Sequence, residues 1–130
     1  MNQEELTNAM LEAETWAVIG ASTDPAKYGH RIYQTLKRHG YRVYAVNPKH
    51  TAIAGDPCYP DLSSLPVRPD VIDMVVSPEH GAGIVEEAGK LGIPYIWFQP
   101  GTHDPELVRR AEALGMTALR HCVLVALSAR

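Results

Sequence analysis

The sequence has little cysteine and little phenylalanine, with two of the first and one of the second in 130 residues. Cys58 and Cys122 belong to no CxxC pair, which argues against a disulfide-built scaffold and for free thiols in a reducing cytoplasm. No apolar run approaches the roughly 18 residues of a spanning helix, so no membrane partner is expected. The opening residues, Met1-Asn2-Gln3-Glu4-Glu5-Leu6, are polar and acidic, unlike a secretory signal or a transit peptide. An excess of positive charge is also missing. Twelve Lys and Arg against 15 Asp and Glu give a net charge of −3, which argues against broad nucleic-acid binding but allows a local cluster to hold a phosphate. His30, His39, His50, His80, His103 and His121 form neither an HxH nor an HExxH spacing, so no metal site is expected.

The chain has the length of one domain, covering residues 1–130, and no room for a separate substrate domain. Its 45% hydrophobic and 21% charged residues suit a packed domain. Ten glycines and ten prolines imply many short elements joined by tight turns. Residues 2–12 read as an amphipathic helix carrying Leu6, Met10 and Leu11 on one side. Apolar runs at Trp16–Ile19, Tyr41–Val46, Val71–Val76, Tyr95–Phe98 and Met116–Leu119 read as strands. A further short strand is possible around Cys58-Tyr59, and one helical turn at Asp61–Leu65. Helical patterns fill His30–His39, Glu79–Leu91 and Pro105–Leu114, with Gly40, Gly92 and Gly115 as their stops and Asp104 as the cap of the third. Cys122 to Leu127 reads as a closing turn or helix.

Strands alternating with helices imply an α/β, three-layer Rossmann-like fold, with a mostly parallel sheet of about five strands and helices on both faces. Ligands of such sheets bind beyond the carboxyl ends of the strands, so chemistry is expected in loops 20–29, 47–55, 77–81 and 99–104. In the first loop, Gly20 and Gly29 allow close backbone approach and a helix start offers free N–H groups. Ser22, Thr23 and Lys27 add hydroxyls and a positive charge, a set suited to phosphate. The pattern is not GxGxxG, and the second strand ends in Asn47-Pro48-Lys49-His50 rather than in the acidic residue that accepts an NAD ribose. A phosphorylated ribose, as in NADP or another 2′- or 3′-phosphorylated adenosine, fits better than NAD.

Val18-Ile19-Gly20-Ala21-Ser22, Lys27-Tyr28-Gly29 and Tyr44-Ala45-Val46-Asn47-Pro48 together resemble the small stand-alone CoA-binding domain proteins. These are similar in turn to the CoA-binding domain of the succinyl-CoA synthetase α-subunit. The likeness continues through Tyr59-Pro60, Leu62, Leu65-Pro66, Asp70-Val71-Ile72-Asp73, Ser77-Pro78, Ile96-Trp97-Phe98-Gln99-Pro100-Gly101 and Cys122, over about residues 13–125. It implies a Rossmann-like fold that binds coenzyme A. Gly20, Ala21 and Ser22 would hold the pyrophosphate, with Lys27, Tyr28 and Gly29 closing the loop. Asn47, Pro48 and Lys49 would lie along the ribose and its 3′-phosphate. Ser77 and Pro78 would border the adenine or pantetheine, and Gln99, Pro100 and Gly101 would lie near the reactive end.

The synthetase's phosphohistidine belongs to a second domain that this length cannot contain, so its ligase chemistry is not expected here. No carboxylate or nucleophile is spaced to orient His80, His103 or His121, which read as surface or capping residues, and no catalytic residue is assigned. Cys122 beside His121 could form a mixed disulfide with the CoA thiol, but Val123 and Leu124 favour a buried, inert cysteine. The expected function is thus a cytoplasmic CoA- or acyl-CoA-binding protein without activity of its own. The alternative is an NADP- or NAD-binding Rossmann protein acting as a redox sensor or regulatory module. A protein partner or a homo-oligomer is compatible with either.

Overall fold

The computed structural model describes residues 1–130. Helix α1 (Gln3–Glu12) starts on a reciprocal cap: the Asn2 side chain accepts from the Glu5 N–H and the Glu5 carboxylate accepts from the Asn2 N–H. Strand β1 (Thr15–Ile19) is buried along its whole length. Helix α2 (Tyr28–Arg38), strand β2 (Arg42–Val46) and the short strands β3 (Ala52–Ile53) and β4 (Asp56–Tyr59) follow. Strand β5 (Val71–Met74), helix α3 (Pro78–Leu91), strand β6 (Tyr95–Phe98) and helix α4 (Pro105–Ala113) repeat the alternation. Strand β7 (Thr117–Arg120) and helix α5 (Val123–Ser128) close the chain.

The sheet runs β3-β4-β2-β1-β5-β6-β7, parallel except for the β3–β4 pair. From β1 the chain crosses first outward to β2 and later to β5 on the other side, so the strand order reverses between β1 and β5. A crevice opens at the carboxyl ends of the strands at such a reversal. Alternation along the strands divides the core in two. Trp16, Val18, Val71 and Trp97 pack with α1, α2 and α5 on one face. Ala17, Ile19, Ile72, Met74, Ile96 and Phe98 pack with α3 and α4 on the other.

The expected three-layer α/β fold is therefore the observed one, with seven strands where about five were expected. The additional pairing arises in residues 49–60. There the left-handed Ala54 (φ 52) and Gly55 (φ 83) turn the chain back so that β3 and β4 form a hairpin on the sheet edge. A Lys37–Asp56 ion pair of 2.5 Å and a Tyr33–Asp56 hydrogen bond of 2.8 Å tie that edge to α2. Asp61–Leu65 makes one hydrogen-bonded turn, Leu65 N–H to Leu62 carbonyl, and no helix. Helix α2 begins two residues before its expected start, so Tyr28 and Gly29 stand in its first turn rather than in the loop.

Candidate functional site

A cavity of about 640 Å³ lies over the carboxyl ends of β1, β2, β5 and β6, within the range of small-molecule and cofactor sites. Its first wall is the β1–α2 loop. Gly20, at φ 97, turns the chain out of β1, and Gly29 of α2 packs directly on it: a Cβ at Gly29 would stand 2.1 Å from the Gly20 carbonyl oxygen. Only glycine allows the helix start to come this close to the strand end. Helix α2 has no side-chain cap, because Lys27 occupies the position that Asn2 and Asp104 fill in α1 and α4. The Tyr28 and Gly29 N–H groups therefore find no acceptor within the chain. Free N–H groups at the positive end of a helix dipole beside an exposed lysine are chemically suited to an anion.

The loop itself is held from within. Ser22 Oγ accepts from the Asp24 N–H at 3.1 Å, and its own hydrogen is free to donate. The Ser22 carbonyl accepts from His30 Nδ1 at 3.0 Å, so the proton of that ring sits on Nδ1. Asn47 joins this loop to the one after β2, donating from Nδ2 to the Ala21 carbonyl at 2.8 Å and accepting from the Lys49 N–H at 2.9 Å. Its side chain thereby sets where Lys49 stands.

The opposite wall comes from Gln99, Pro100, Gly101 and Thr102 after β6 and from Cys122 before α5. A second cavity of about 350 Å³ continues on the α3 side, sharing Gly20, Asn47, Lys49 and Ser77 with the first and lined also by Ile19, Val46, Pro48 and Ile84. No three His, Cys, Asp or Glu side chains are grouped so as to hold a metal ion.

The larger cavity brings together Gly20, Ser22, Lys27, Tyr28 and Gly29 from the first group of expected site residues. Asn47, Lys49, Ser77, Gln99, Pro100 and Gly101 join them. Three others stand apart. Ala21 is fully buried and meets the site only through its carbonyl bond to Asn47. Pro48 faces the smaller cavity. Pro78 is the first residue of α3, suited there by its missing N–H, and lines neither cavity.

Sequence reasoning missed Thr102 and Asp73, and it misplaced Cys122; His50, read with Lys49 at the end of the second strand, does line the cavity. That thiol is half-exposed in the cavity wall because it precedes α5 as its cap; Cys58 is the buried one. Asp73 is fully buried in β5, and burial pushes its carboxyl up to about 7 against the lowering effect of a Gln99 hydrogen bond. A charge inside the apolar run Val71–Val76 was the available signal. His80 is also not isolated: its Nδ1 lies 2.8 Å from Ser77 Oγ, and no carboxylate completes the pair.

A seven-stranded Rossmann-like sheet with a phosphate-suited crevice at its strand reversal defines a nucleotide-binding α/β domain. The comparisons with known proteins narrow that class. The model of the CoA binding domain matches residues 14–128, so the chain belongs to the CoA binding domain family. ADP-forming acetate–CoA ligase I of Archaeoglobus fulgidus is 42% identical over 74 residues, which is 57% of this chain and 11% of that protein. A solved hypothetical protein from Pyrococcus horikoshii OT3 is 29% identical with a TM-score of 0.92, covering 99% of this chain and 92% of that one. The dinucleotide-forming acetyl-coenzyme A synthetase 1 of Ca. Korarchaeum cryptofilum is 30% identical with a TM-score of 0.73, covering 84% of this chain and 26% of that chain. The chain thus spans a small part of the ligases it resembles. No helix is long and apolar enough to cross a membrane.

Proposed function

We propose that this chain is a cytoplasmic protein that binds CoA or acyl-CoA and performs no reaction of its own. The observation that carries the reading is the uncapped start of α2 against Gly20, flanked by Lys27 and Lys49, in a chain of the CoA binding domain family. The free N–H groups of Tyr28 and Gly29, the Ser22 hydroxyl and Lys27 would hold the pyrophosphate. Lys49, placed by Asn47, would meet the 3′-phosphate. Ser77 stands between the two cavities and would border the adenine or pantetheine, while Gln99, Pro100 and Gly101 would face the reactive end. NADP receives no support from the relatives, which are CoA ligases where their names state an activity. Any step beyond holding the ligand would come from a protein partner or from a second copy of the chain.

The assignment of the two lysines separates the two phosphate subsites. Lys27→Ala should weaken CoA and dephospho-CoA alike, by roughly five- to tenfold for one charge-assisted contact. Lys49→Ala should weaken CoA by a similar factor and leave dephospho-CoA unchanged. Calorimetric titration of both variants with both ligands reads this directly. Equal losses for the two ligands in Lys49→Ala would remove Lys49 from the 3′-phosphate.

A further inference from the structure

Asp73 lies mid-strand in β5 with no exposed surface, in register with Val18 on one side and Trp97 on the other. Its Oδ1 accepts from Gln99 Nε2 at 2.6 Å, and its Oδ2 has no partner. An apolar side chain would pack here without the desolvation that one hydrogen bond fails to replace. The carboxyl does, however, fix an amide. A carboxylate on one side and a backbone donor on the other leave Gln99 one orientation. Nε2 points to Asp73, and Oε1 accepts from the Val123 N–H at 3.2 Å. Gln99 also shapes the turn after β6, its carbonyl accepting from the N–H and Oγ1 of Thr102 at 3.1 and 2.7 Å. Val123 is the first residue of α5, and Cys122 before it stands in the cavity wall with Gln99 and Thr102.

We infer that Asp73 is a positioning residue of the cavity: through the Gln99 amide it holds the start of α5, and with it Cys122, in the wall that a ligand meets. The chain of contacts runs from a strand centre to the side of the cavity opposite the phosphate-suited loop. It gives a reason for a buried carboxyl that packing alone does not. The consequence for CoA affinity rests on the reading of the site as a CoA site; the consequence for Cys122 does not.

The test is the rate at which iodoacetamide labels Cys122 in the ligand-free protein, read by peptide mass spectrometry, with buried Cys58 as the internal reference. Asp73→Leu and Gln99→Leu should each raise Cys122 labelling by up to roughly tenfold, as expected for loss of one buried hydrogen bond. Both should lower CoA affinity by a similar factor. Asp73→Asn keeps an acceptor for Gln99 Nε2 and should stay within about twofold of the parent chain. The double variant Asp73→Leu/Gln99→Leu should go no further than the more affected single one, because the two residues act in series. Unchanged Cys122 labelling in both leucine variants, with cooperative melting retained, overturns the inference. If Asp73→Leu does not fold, Gln99→Leu decides alone. Raised labelling in a protein that binds no CoA would uphold the positioning role and overturn the CoA reading.

Discussion

A Gly29→Ala chain should lose CoA binding by at least tenfold and melt roughly 10 °C below its parent, for a cost of about 3 kcal/mol. The Cβ it adds would stand 2.1 Å from the Gly20 carbonyl oxygen, 3.1 Å from the Gly20 carbonyl carbon and 3.2 Å from the Ala21 Cα. All three are backbone atoms, so no side chain can swing away to make room. Relief requires the start of α2 to move off β1, and that movement pulls the Tyr28 and Gly29 N–H groups away from the place where an anion would bind. The cost is one of contact and not of backbone conformation, since Gly29 sits in the first turn of a helix. Gly83 in α3 supplies the control. A Cβ there meets nothing within 4 Å, so Gly83→Ala should stabilise the fold by about 0.5–1 kcal/mol and leave binding intact. Thermal melts and calorimetry on the two variants check both halves. A Gly29→Ala chain that binds CoA as its parent does would show that the close contact does not shape the site.

Asp73→Asn should make the fold more stable at pH 8 by about 4 kcal/mol, with the gain fading toward pH 4. Burial raises the carboxyl from an unfolded value of 3.8 to about 7 in the folded chain. Between those two values the folded state binds more protons than the unfolded one, so stability falls as pH rises through that window. Above about pH 7 the full cost of holding a buried carboxylate is present, and each pKa unit corresponds to about 1.4 kcal/mol. Asparagine does not titrate and escapes that cost, while its Oδ1 can still accept from Gln99. Urea unfolding of parent and variant at pH 4, 6 and 8 reads the difference. A gain equal at all three pH values would show that Asp73 does not carry the titration.

The layered fold was legible because its signals are local. Trp16–Ile19 and Tyr95–Phe98 are apolar runs of strand length, and Gly20, Asn47-Pro48 and Gly115 mark where elements stop. Cys58-Tyr59, expected as a short strand, is the second half of β4, but the β3–β4 hairpin that precedes it was illegible for the opposite reason. Ala52-Ile53 and Asp56-Pro57 have no strand pattern, and their pairing is made by the turn at Ala54-Gly55 and by the edge they dock against. The start of α2 was misread because Lys27 stands where a capping Ser, Thr, Asp or Asn would announce a helix. That missing cap is itself what leaves donors free at the site.

The phosphate-suited half of the site could be read from loop residues that lie close together along the chain. The other half could not. Cys122 looked buried among Val123 and Leu124, yet its place before α5 turns it into the cavity. Asp73 finds its partner 26 positions away, after the neighbouring strand. Only the register of β5 with β6, which sets Asp73 beside Trp97, brings Gln99 over it.

Calorimetric titration of the purified chain with CoA, NADP and NAD under one buffer condition reads whether this cavity holds CoA. One CoA should bind per chain, more tightly than either dinucleotide. CoA bound no more tightly than NAD would contradict it.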